Sequence, residues 1–254
     1  MKEESIFITG AGSGMGQLAA RTFAEQGYPV AAVDVNEKGL LETAENHQNI
    51  RTFNTDVTDF AAVQQVVDET EAKLGPIRRV YNAAAIMPLG KVVDQDVEVF
   101  HRVMDINYNG VVNVSKAVMP KLLERNSGEL VNFASLAGWM PILYMAAYNA
   151  SKFAVVAFTE VLAHEHKDSN VKVLCVCPPP VKTPLLDQAR DTVWPKVFDQ
   201  GEHIEATDVL EAINKAVADD ELFVFPGKRT RMVQRMRRWF PNLIWKNVHE
   251  TEGF

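Results

Sequence analysis

Three side chains that can take part in proton transfer lie in one short stretch of the chain. Tyr148 and Lys152 are four residues apart in Tyr-Asn-Ala-Ser-Lys, and Ser135 precedes Tyr148 by 13 positions. Residues i and i+4 share one face of a helix, so the Lys152 ammonium can lie beside the Tyr148 phenol. An ordinary phenol has a pKa of about 10 and needs a nearby positive charge to exchange protons near neutrality. Ser135 can then donate a hydrogen bond to the oxygen that exchanges its proton with Tyr148. The alternative is that Tyr148 and Lys152 only form part of an ordinary helix surface.

A glycine-rich turn near the N-terminus is the first element that can position this chemistry. Residues 9–16 read Thr-Gly-Ala-Gly-Ser-Gly-Met-Gly, after a strand-like run and before a helix-like segment. Glycines let the backbone turn tightly and approach a pyrophosphate, which the positive end of the following helix attracts. We therefore expect a dinucleotide to contact Gly10, Ser13, Gly14, Met15 and Gly16. The alternative is an ordinary tight turn.

An acidic residue ends the second apolar run, in Val-Ala-Ala-Val-Asp-Val-Asn. Asp34 follows the glycines by roughly 20 residues. A carboxylate at this place can accept hydrogen bonds from both ribose hydroxyls and would repel a 2′-phosphate. No Lys or Arg directly follows it to offset that repulsion. The pattern favours NAD over NADP, although Asp34 could instead only cap the next helix.

Composition limits the class of protein. The chain has 254 residues, 47% of them hydrophobic, and its net charge of −7 argues against nucleic acid as a partner. It lacks an apolar run of about 18 residues, so no membrane-spanning helix is predicted. The acidic N-terminus, Met1–Ser5, is not typical of a secretory signal. Cys175 and Cys177 have no partner cysteines for a zinc site or a disulfide framework. We expect a cytoplasmic protein without a bound metal.

Strand-like and helix-like segments alternate along the chain without a linker or an internal repeat. This alternation predicts βαβ units, a parallel sheet and a single α/β domain. The predicted strands are Ser5–Thr9, Pro29–Asp34, Ile50–Asn54, Arg78–Asn82, Gly128–Ala134, Val171–Pro178 and Glu221–Phe225. The predicted helices are Gly14–Gln26, Glu37–His47, Asp59–Leu74, Asp96–Asn107, Gly110–Asn126, Ala146–Lys167 and Ala206–Asp219. The domain is expected to span residues 1–225 and to include a mobile substrate segment at residues 180–205.

The glycine turn, Asp34 and the ordered set of Ser135, Tyr148 and Lys152 together resemble the short-chain dehydrogenase/reductase family, over roughly residues 5–225. The resemblance implies a Rossmann-type, doubly wound sheet of about seven parallel strands in the order 3-2-1-4-5-6-7, with three α/β/α layers. It also implies cofactor contacts near the ends of later strands and in the active site. These contacts come from Asp56, Val57, Asn82, Ala83, Tyr148, Lys152, Pro178, Val181 and Thr183.

Two positions depart from the family's pattern. Ala84 stands where the family usually has glycine, and so does Pro179. Proline fixes φ near −65° and lacks a backbone N–H donor. The nicotinamide end of the site is therefore expected to have a different shape, while every catalytic side chain is kept.

The resemblance also implies a reaction, reversible hydride transfer between a nicotinamide and a secondary alcohol or ketone. Tyr148 would be the general acid and base, Ser135 would stabilise the substrate oxygen, and Lys152 would lower the Tyr148 pKa and bind the nicotinamide ribose. Asn107 would link Lys152 to solvent through a water, or else merely end a helix before Gly110. Helices at residues 110–126 and 146–167 would form the interface of a homodimer or homotetramer.

The residues expected around the substrate are unusually apolar. The loop at residues 138–145 reads Gly-Trp-Met-Pro-Ile-Leu-Tyr-Met, and Met87–Leu89 and Leu185–Phe198 add to it. Such a lining suits a lipophilic alcohol, steroid-like or long-chain, although an apolar loop is as often core or interface. Two alternatives stay open: a reductase of small aromatic or keto-acid carbonyls, and a non-catalytic NAD-binding sensor with the same fold.

Residues 226–254 form a basic tail of different composition. Seven Lys or Arg stand against two Glu, an excess of +5. Between Arg231 and Phe240 the apolar residues recur on one face of a helix, which Pro241 is expected to end. A basic amphipathic helix can pack on its own protein, cover the pocket as a lid or make peripheral contact with a membrane. All three interpretations stay open.

Overall fold

The centre of the fold is a sheet of seven parallel strands. A computed structural model describes residues 2–189, 193–201 and 203–254. The strands are β1 (Ser5–Thr9), β2 (Val30–Asp34), β3 (Ile50–Asn54), β4 (Ile77–Asn82), β5 (Gly128–Phe133), β6 (Val171–Val176) and β7 (Phe223–Val224). Their order is β3-β2-β1-β4-β5-β6-β7, which confirms the predicted Rossmann-type α/β fold. The order reverses between β1 and β4, and ligands of such sheets bind at the carboxyl ends of the strands beside that reversal.

Helices cover both faces of the sheet, as expected for parallel strands. They are α1 (Gly14–Glu25), α2 (Glu37–Ala44), α3 (Phe60–Leu74), α4 (Val97–Met104), α5 (Gly110–Arg125), α6 (Ala146–Glu165), α7 (Pro184–Ala189), α8 (Val197–Gln200), α9 (Ala206–Asp219), α10 (Thr230–Trp239) and α11 (Pro241–Glu252). None of those helices is both long and apolar enough to cross a bilayer.

The core lies on both sides of the sheet because successive side chains of a strand point to opposite faces. Ile6 and Ile8 of β1 belong to one buried cluster, together with Ile213 of α9. Phe7, between them, belongs to a second cluster with Val67 of α3. This two-sided burial explains why the central strands are continuous apolar runs in the sequence.

The helix predicted at Asp96–Asn107 differs from the structure. The α-helix α4 ends at Met104, and a π-helical turn, Asp105–Asn109, continues directly into α5. A π-helical turn changes the direction in which its side chains point, and such turns are frequent at functional sites. Asn107 is fully buried inside this turn. The interpretation of Asn107 as a residue that ends a helix is therefore wrong.

Other predicted boundaries shift by a few residues. Strand β7 covers two residues rather than Glu221–Phe225, since only these pair with β6. Strand β6 ends at Val176 and not at Pro178, where a run of three prolines begins that cannot donate to a ladder. Helix α2 ends three residues before His47, and α6 ends two residues before Lys167.

The substrate segment and the tail contain more regular structure than predicted. The segment at 180–205 contains α7 and α8, and Val181 pairs with Ile204 in an isolated bridge. Its residues 190–192 and 202 lie outside the described residues. In the tail, α10 matches the predicted amphipathic helix and ends at Trp239, just before Pro241, as predicted. Pro241 itself begins a further helix that was not predicted, α11. It occupies the first turn of α11, where a missing N–H is tolerated.

Candidate active site

The glycine turn brings the end of β1 close to the chain that follows β4. Gly10 has a φ of 67°, and a Cβ there would lie 2.8 Å from the backbone nitrogen of Ala84. A Cβ on Gly16 would lie 2.2 Å from the carbonyl oxygen of Gly10. Glycine is therefore required at both positions. Ser13, at the start of α1, makes no side-chain capping bond, so the first N–H groups of the helix remain available to an anion.

Asp34 lies at the end of β2 beside the same turn. Its Oδ2 accepts a hydrogen bond from the N–H of Gly12 at 2.9 Å, and its Oδ1 accepts one from the N–H of Asn36 at 2.8 Å. Each carboxylate oxygen has a second lone pair. Asp34 can therefore fix the glycine turn and still accept hydrogen bonds from ribose hydroxyls.

These elements border a cleft of about 840 Å³. The predicted cofactor residues in its wall are Gly10, Ser13, Gly14, Met15, Gly16, Asp34, Asp56, Val57, Ala83 and Thr183. The open start of a helix suits a pyrophosphate, and a carboxylate one strand away suits a ribose. The residues present thus fit a dinucleotide.

Asn82 does not line this cleft. It is buried behind the wall, where its Oδ1 accepts from the Thr9 hydroxyl at 3.2 Å and its Nδ2 donates to the carbonyl oxygen of Val111 at 3.1 Å. These bonds join β4 to β1 and α5. The Asn82 side chain therefore supports the strand ends, and its contact with the cofactor stays a prediction.

Ser135 and Tyr148 lie close together, although they come from different elements. Ser135 follows β5, and Tyr148 lies in the first turn of α6. Burial raises the pKa of Tyr148 to about 12, and a hydrogen bond from Ser135 opposes that rise. The phenol is therefore protonated at neutral pH and can act as a proton donor.

Lys152 lies one helical turn beyond Tyr148 and is also buried. Its Nζ donates to the carbonyl oxygen of Phe133 at 2.7 Å and lies 5.6 Å from the centre of the Tyr148 ring. Burial lowers the pKa of Lys152 to about 8, although the neighbouring Cys175 and Cys177 act in the opposite direction. Burial of the phenol dominates the Tyr148 pKa and outweighs the lowering that is expected from Lys152.

Asn107 joins the chain after β4 to α6. Its Oδ1 accepts from the N–H of Ile86 at 2.8 Å, and its Nδ2 donates to the carbonyl oxygen of Ile86 at 2.9 Å. The same Nδ2 donates to the Ser151 hydroxyl at 3.1 Å, and Ser151 donates to the carbonyl oxygen of Tyr148 at 2.8 Å. Asn107 thus fixes the helix that carries Tyr148 and Lys152 against the wall of the cleft.

The three prolines after β6 form another wall of the site. The carbonyl oxygen of Pro178 accepts from the N–H of Leu136 at 2.8 Å. Thr183 donates to the carbonyl oxygen of Val181 at 3.3 Å and lines the cleft. Pro179, which replaces the usual glycine, is buried and lines a second cavity. The departure from the family's pattern therefore adds apolar surface beside the site.

This second cavity, of about 350 Å³, contains Ser135, Tyr148 and Lys152 in its wall. The residues that it shares with the cleft are Met15, Ala83, Ala85, Thr183 and Leu185. Much of the remaining wall is apolar and includes Met87, Met140, Ile142, Met145, Leu186, Val197, Phe198, Met232 and Val233. A substrate in the cavity can lie between Tyr148 and a nicotinamide that reaches in from the cleft.

Trp139 is not part of this wall, although its loop was expected to border the substrate. Its ring packs edge-on against Phe223 with 5.3 Å between centres, and its Nε1 donates to the Cys177 sulfur at 3.3 Å. Trp139 therefore belongs to the core beside β7. Three later residues of the same loop do line the cavity: Met140, Ile142 and Met145.

One group of wall residues was not predicted from the sequence, and a second agrees with the lid interpretation of the tail. His101 and Arg102 of α4 line the cleft, and nothing in their local pattern indicated this position. Met232 and Val233 of α10 line the second cavity. The apolar face of that helix was the available signal, but it did not identify which surface the helix covers.

Comparisons with known proteins agree with this geometry. The sequence profile of the short chain dehydrogenase family matches residues 4–194. The 2,3-dihydro-2,3-dihydroxybenzoate dehydrogenase of Bacillus subtilis is 34% identical over 183 residues, covering 70% of this chain and 70% of that protein. The 17-beta-hydroxysteroid dehydrogenase 13 of Rattus norvegicus is 28% identical over 258 aligned positions, covering 98% of this chain and 83% of that protein.

A solved structure is also similar over nearly the whole length. It is a short chain dehydrogenase/reductase from Burkholderia phymatum in complex with NAD, with a TM-score of 0.84, 27% identity and coverage of 96% of both chains. The range that the family profile matches spans the positions of the glycine turn, Asp34, Ser135, Tyr148 and Lys152. The chain therefore belongs to the short-chain dehydrogenase family and is an oxidoreductase with a Rossmann fold.

Proposed function

We propose that the protein transfers hydride between NAD(H) and a lipophilic secondary alcohol or ketone, steroid-like or long-chain. One observation carries this proposal: an apolar cavity holds Ser135 and Tyr148 and shares a wall with the dinucleotide cleft. Its volume of about 350 Å³ lies within the range of small-molecule sites. The rat relative, named as a hydroxysteroid dehydrogenase, aligns with 98% of this chain, and a hydroxysteroid is a lipophilic alcohol.

The polar side chains of the cavity divide the proton chemistry among them. When bound, the nicotinamide supplies or accepts the hydride. Tyr148 donates its phenol proton to the substrate oxygen in reduction and accepts a proton in oxidation. The Ser135 hydroxyl donates a hydrogen bond to the same oxygen. Lys152 in its charged form favours the phenolate of Tyr148, and Asn107 fixes the helix that carries both.

We assign NAD as the cofactor because of Asp34. Its carboxylate stands at the end of β2 with lone pairs free for ribose hydroxyls. A 2′-phosphate at the same place would meet a negative charge. Arg102 also lies in the cleft wall, and its positive charge could offset the negative charge of Asp34. The preference for NAD over NADP is therefore a quantity to be measured directly.

We also propose that the protein forms a homodimer or homotetramer through α5 and α6. Phe153 and Val161, both on α6, are 40% and 56% exposed. Exposed apolar residues on one long helix are typical of a subunit interface. Light scattering coupled to gel filtration measures the state, and a monomer would refute this assignment.

Peripheral membrane contact through the tail is a further part of the proposal. Trp239, Phe240 and Leu243, where α10 meets α11, are 72%, 60% and 55% exposed. Arg235 and Arg238 precede them. Aromatic and basic side chains together suit the surface of an anionic bilayer. Co-sedimentation with phosphatidylglycerol vesicles should weaken when Trp239 and Phe240 are both replaced by serine. Equal binding of the variant and the unaltered protein to the vesicles would refute membrane contact through these residues.

The substitution Tyr148→Phe tests the proposed chemistry. It removes the proton donor and keeps the ring, so turnover should be abolished while NADH binding, followed by fluorescence, survives. Tyr28→Phe is the matched control, because Tyr28 lies in the core against Phe23 and away from both cavities. Unimpaired turnover in Tyr148→Phe would refute the assignment. Tight NADH binding without turnover of any alcohol by the unaltered protein would favour a sensor.

A further inference from the structure

The C-terminal helices α10 and α11 reach the second cavity in two ways. Met232 and Val233 of α10 form part of its wall directly. Helix α11 does not line the cavity, but it packs on α8, whose Val197 and Phe198 do. The tail therefore borders the proposed substrate site both through its own side chains and through the position of α8.

Two hydrogen bonds attach α11 to α8. The side-chain Oε1 of Glu252 accepts from the N–H of Val197 at 3.1 Å, at the first residue of α8. Thr251 donates to the side-chain oxygen of Gln200 at 3.3 Å, at the last residue of α8. Val248, on the same helix α11, is buried. Both ends of α8 are thus attached to the last turn of α11.

The cavity wall depends on this attachment because α8 is only four residues long. A helix of that length has little stability of its own. Phe198 is 4% exposed and packs edge-on against Trp194 with 5.2 Å between ring centres. Glu252 holds the first residue of α8, directly before Phe198, and a ring nitrogen of His203 lies 2.7 Å from the carbonyl oxygen of Phe198.

We propose that α10 and α11 set the length of alcohol that the site accepts, with Glu252 as the positioning residue for Phe198 and Val233 as part of the closing wall. This inference rests on the proposed function, since it concerns the substrate cavity of that reaction. An aliphatic chain would extend from the carbinol carbon near Tyr148 toward Phe198 and Val233. Loss of the Glu252 bond would let α8 move and weaken the contact with long chains, while short alcohols would be unaffected.

Glu252→Ala, Glu252→Gln and the control Glu250→Ala test this proposal in the full-length protein. Glu250 lies on α11 in an exposed pair with Lys246 at 3.8 Å, so its loss leaves α8 untouched. Hydrogen–deuterium exchange of the peptide covering residues 193–201 should quicken about tenfold in Glu252→Ala, as expected for the loss of one hydrogen bond to a charged group. Glu252→Gln keeps a carbonyl oxygen and should restore slow exchange.

Steady-state kinetics with 2-butanol and 2-decanol provide the second measurement. Glu252→Ala should raise KM for 2-decanol about tenfold and leave kcat and KM for 2-butanol unchanged. Val233→Phe should also raise the KM for 2-decanol, because the added ring fills part of the cavity. The proposal would be overturned if Glu252→Ala and Val233→Phe both gave the same ratio of KM for 2-decanol to KM for 2-butanol as the control Glu250→Ala. This holds even if hydrogen–deuterium exchange is faster in Glu252→Ala. If the unaltered protein oxidises no alcohol, the proposed function fails. The attachment of α8 to α11 is tested separately, and unchanged hydrogen–deuterium exchange in Glu252→Ala would overturn it.

Discussion

The Lys152 Nζ lies 5.6 Å from the centre of the Tyr148 ring. Burial acts on both side chains and favours the neutral form of each, with a pKa of about 12 for Tyr148 and about 8 for Lys152. At neutral pH the Tyr148 phenol is therefore protonated, and Lys152 changes its charge near the physiological pH range. Proton transfer at this site should depend strongly on pH and on the charge of Lys152.

The pH dependence should differ between the two directions of the reaction. Oxidation needs the Tyr148 phenolate, so its kcat/KM should rise as pH increases from about 6 to 8, since the phenol pKa of about 12 lies far above. Reduction needs the phenol and should be nearly constant over that range. Above about pH 8, loss of the Lys152 proton should flatten the rise in oxidation. Initial rates in both directions measure this, and a fall in oxidation between pH 6 and 8 would be inconsistent with Tyr148 as the base.

Replacement of Lys152 by methionine should separate stability from activity. The Lys152 pKa falls from 10.5 to about 8 in the folded protein, so the folded state binds fewer protons than the unfolded chain between these values and stability rises with pH there. Below about pH 8 the folded protein bears the full cost of the buried charge. Lys152→Met should therefore abolish turnover and raise the free energy of unfolding near pH 7 by on the order of 1–3 kcal/mol, because the lost bond to Phe133 offsets part of the gain.

Denaturant unfolding at several pH values provides the measurement for Lys152→Met. The stability difference should shrink between about pH 8 and 10.5, because the folded protein loses the Lys152 proton in this range while the unfolded chain still keeps it. A variant less stable than the unaltered protein at pH 7 would show that the ammonium contributes net stability. That result would contradict the assigned effect of burial.

Substitution of Asp34 by asparagine should change the choice of cofactor. Asparagine keeps one oxygen that can accept from Gly12 or Asn36 but removes the negative charge that would oppose a 2′-phosphate. The ratio of kcat/KM for NAD to that for NADP should fall about tenfold or more, the equivalent of one charge-assisted interaction. Asp56→Asn, on the same cleft wall, should change the ratio far less. An unchanged ratio in Asp34→Asn would shift the assignment of selectivity to another residue such as Arg102.

Much of the fold was predictable because parallel strands covered on both faces appear as continuous apolar runs. The glycine turn, Ser135, Tyr148 and Lys152 were predictable because each motif is local, and its spacing already sets which groups can meet. The π-helical turn that buries Asn107 was not predictable, since the apolar pattern of α4 does not show where the hydrogen-bond register changes. The order of the strands came from the family resemblance and not from the pattern itself.

Prediction and structure differ for residues whose place depends on contacts with distant parts of the chain. Trp139 packs on Phe223, far along the chain, and so leaves the substrate wall that its own loop suggested. Met232 reaches the cavity for a similar reason, because α10 follows β7 in the chain but shares the cavity wall with residues that follow β5 and β6. Amphipathicity predicts that a helix has a buried face, but it does not identify the surface that buries it.

A graded screen of secondary alcohols tests the central claim most directly. Initial rates with 2-butanol through 2-decanol, a hydroxysteroid and a polar diol would be measured with NAD and NADP in parallel. The apolar cavity beside Tyr148 and the carboxylate of Asp34 predict that kcat/KM rises with hydrophobicity and is higher with NAD. Activity confined to polar diols, or a clear preference for NADP, would contradict it.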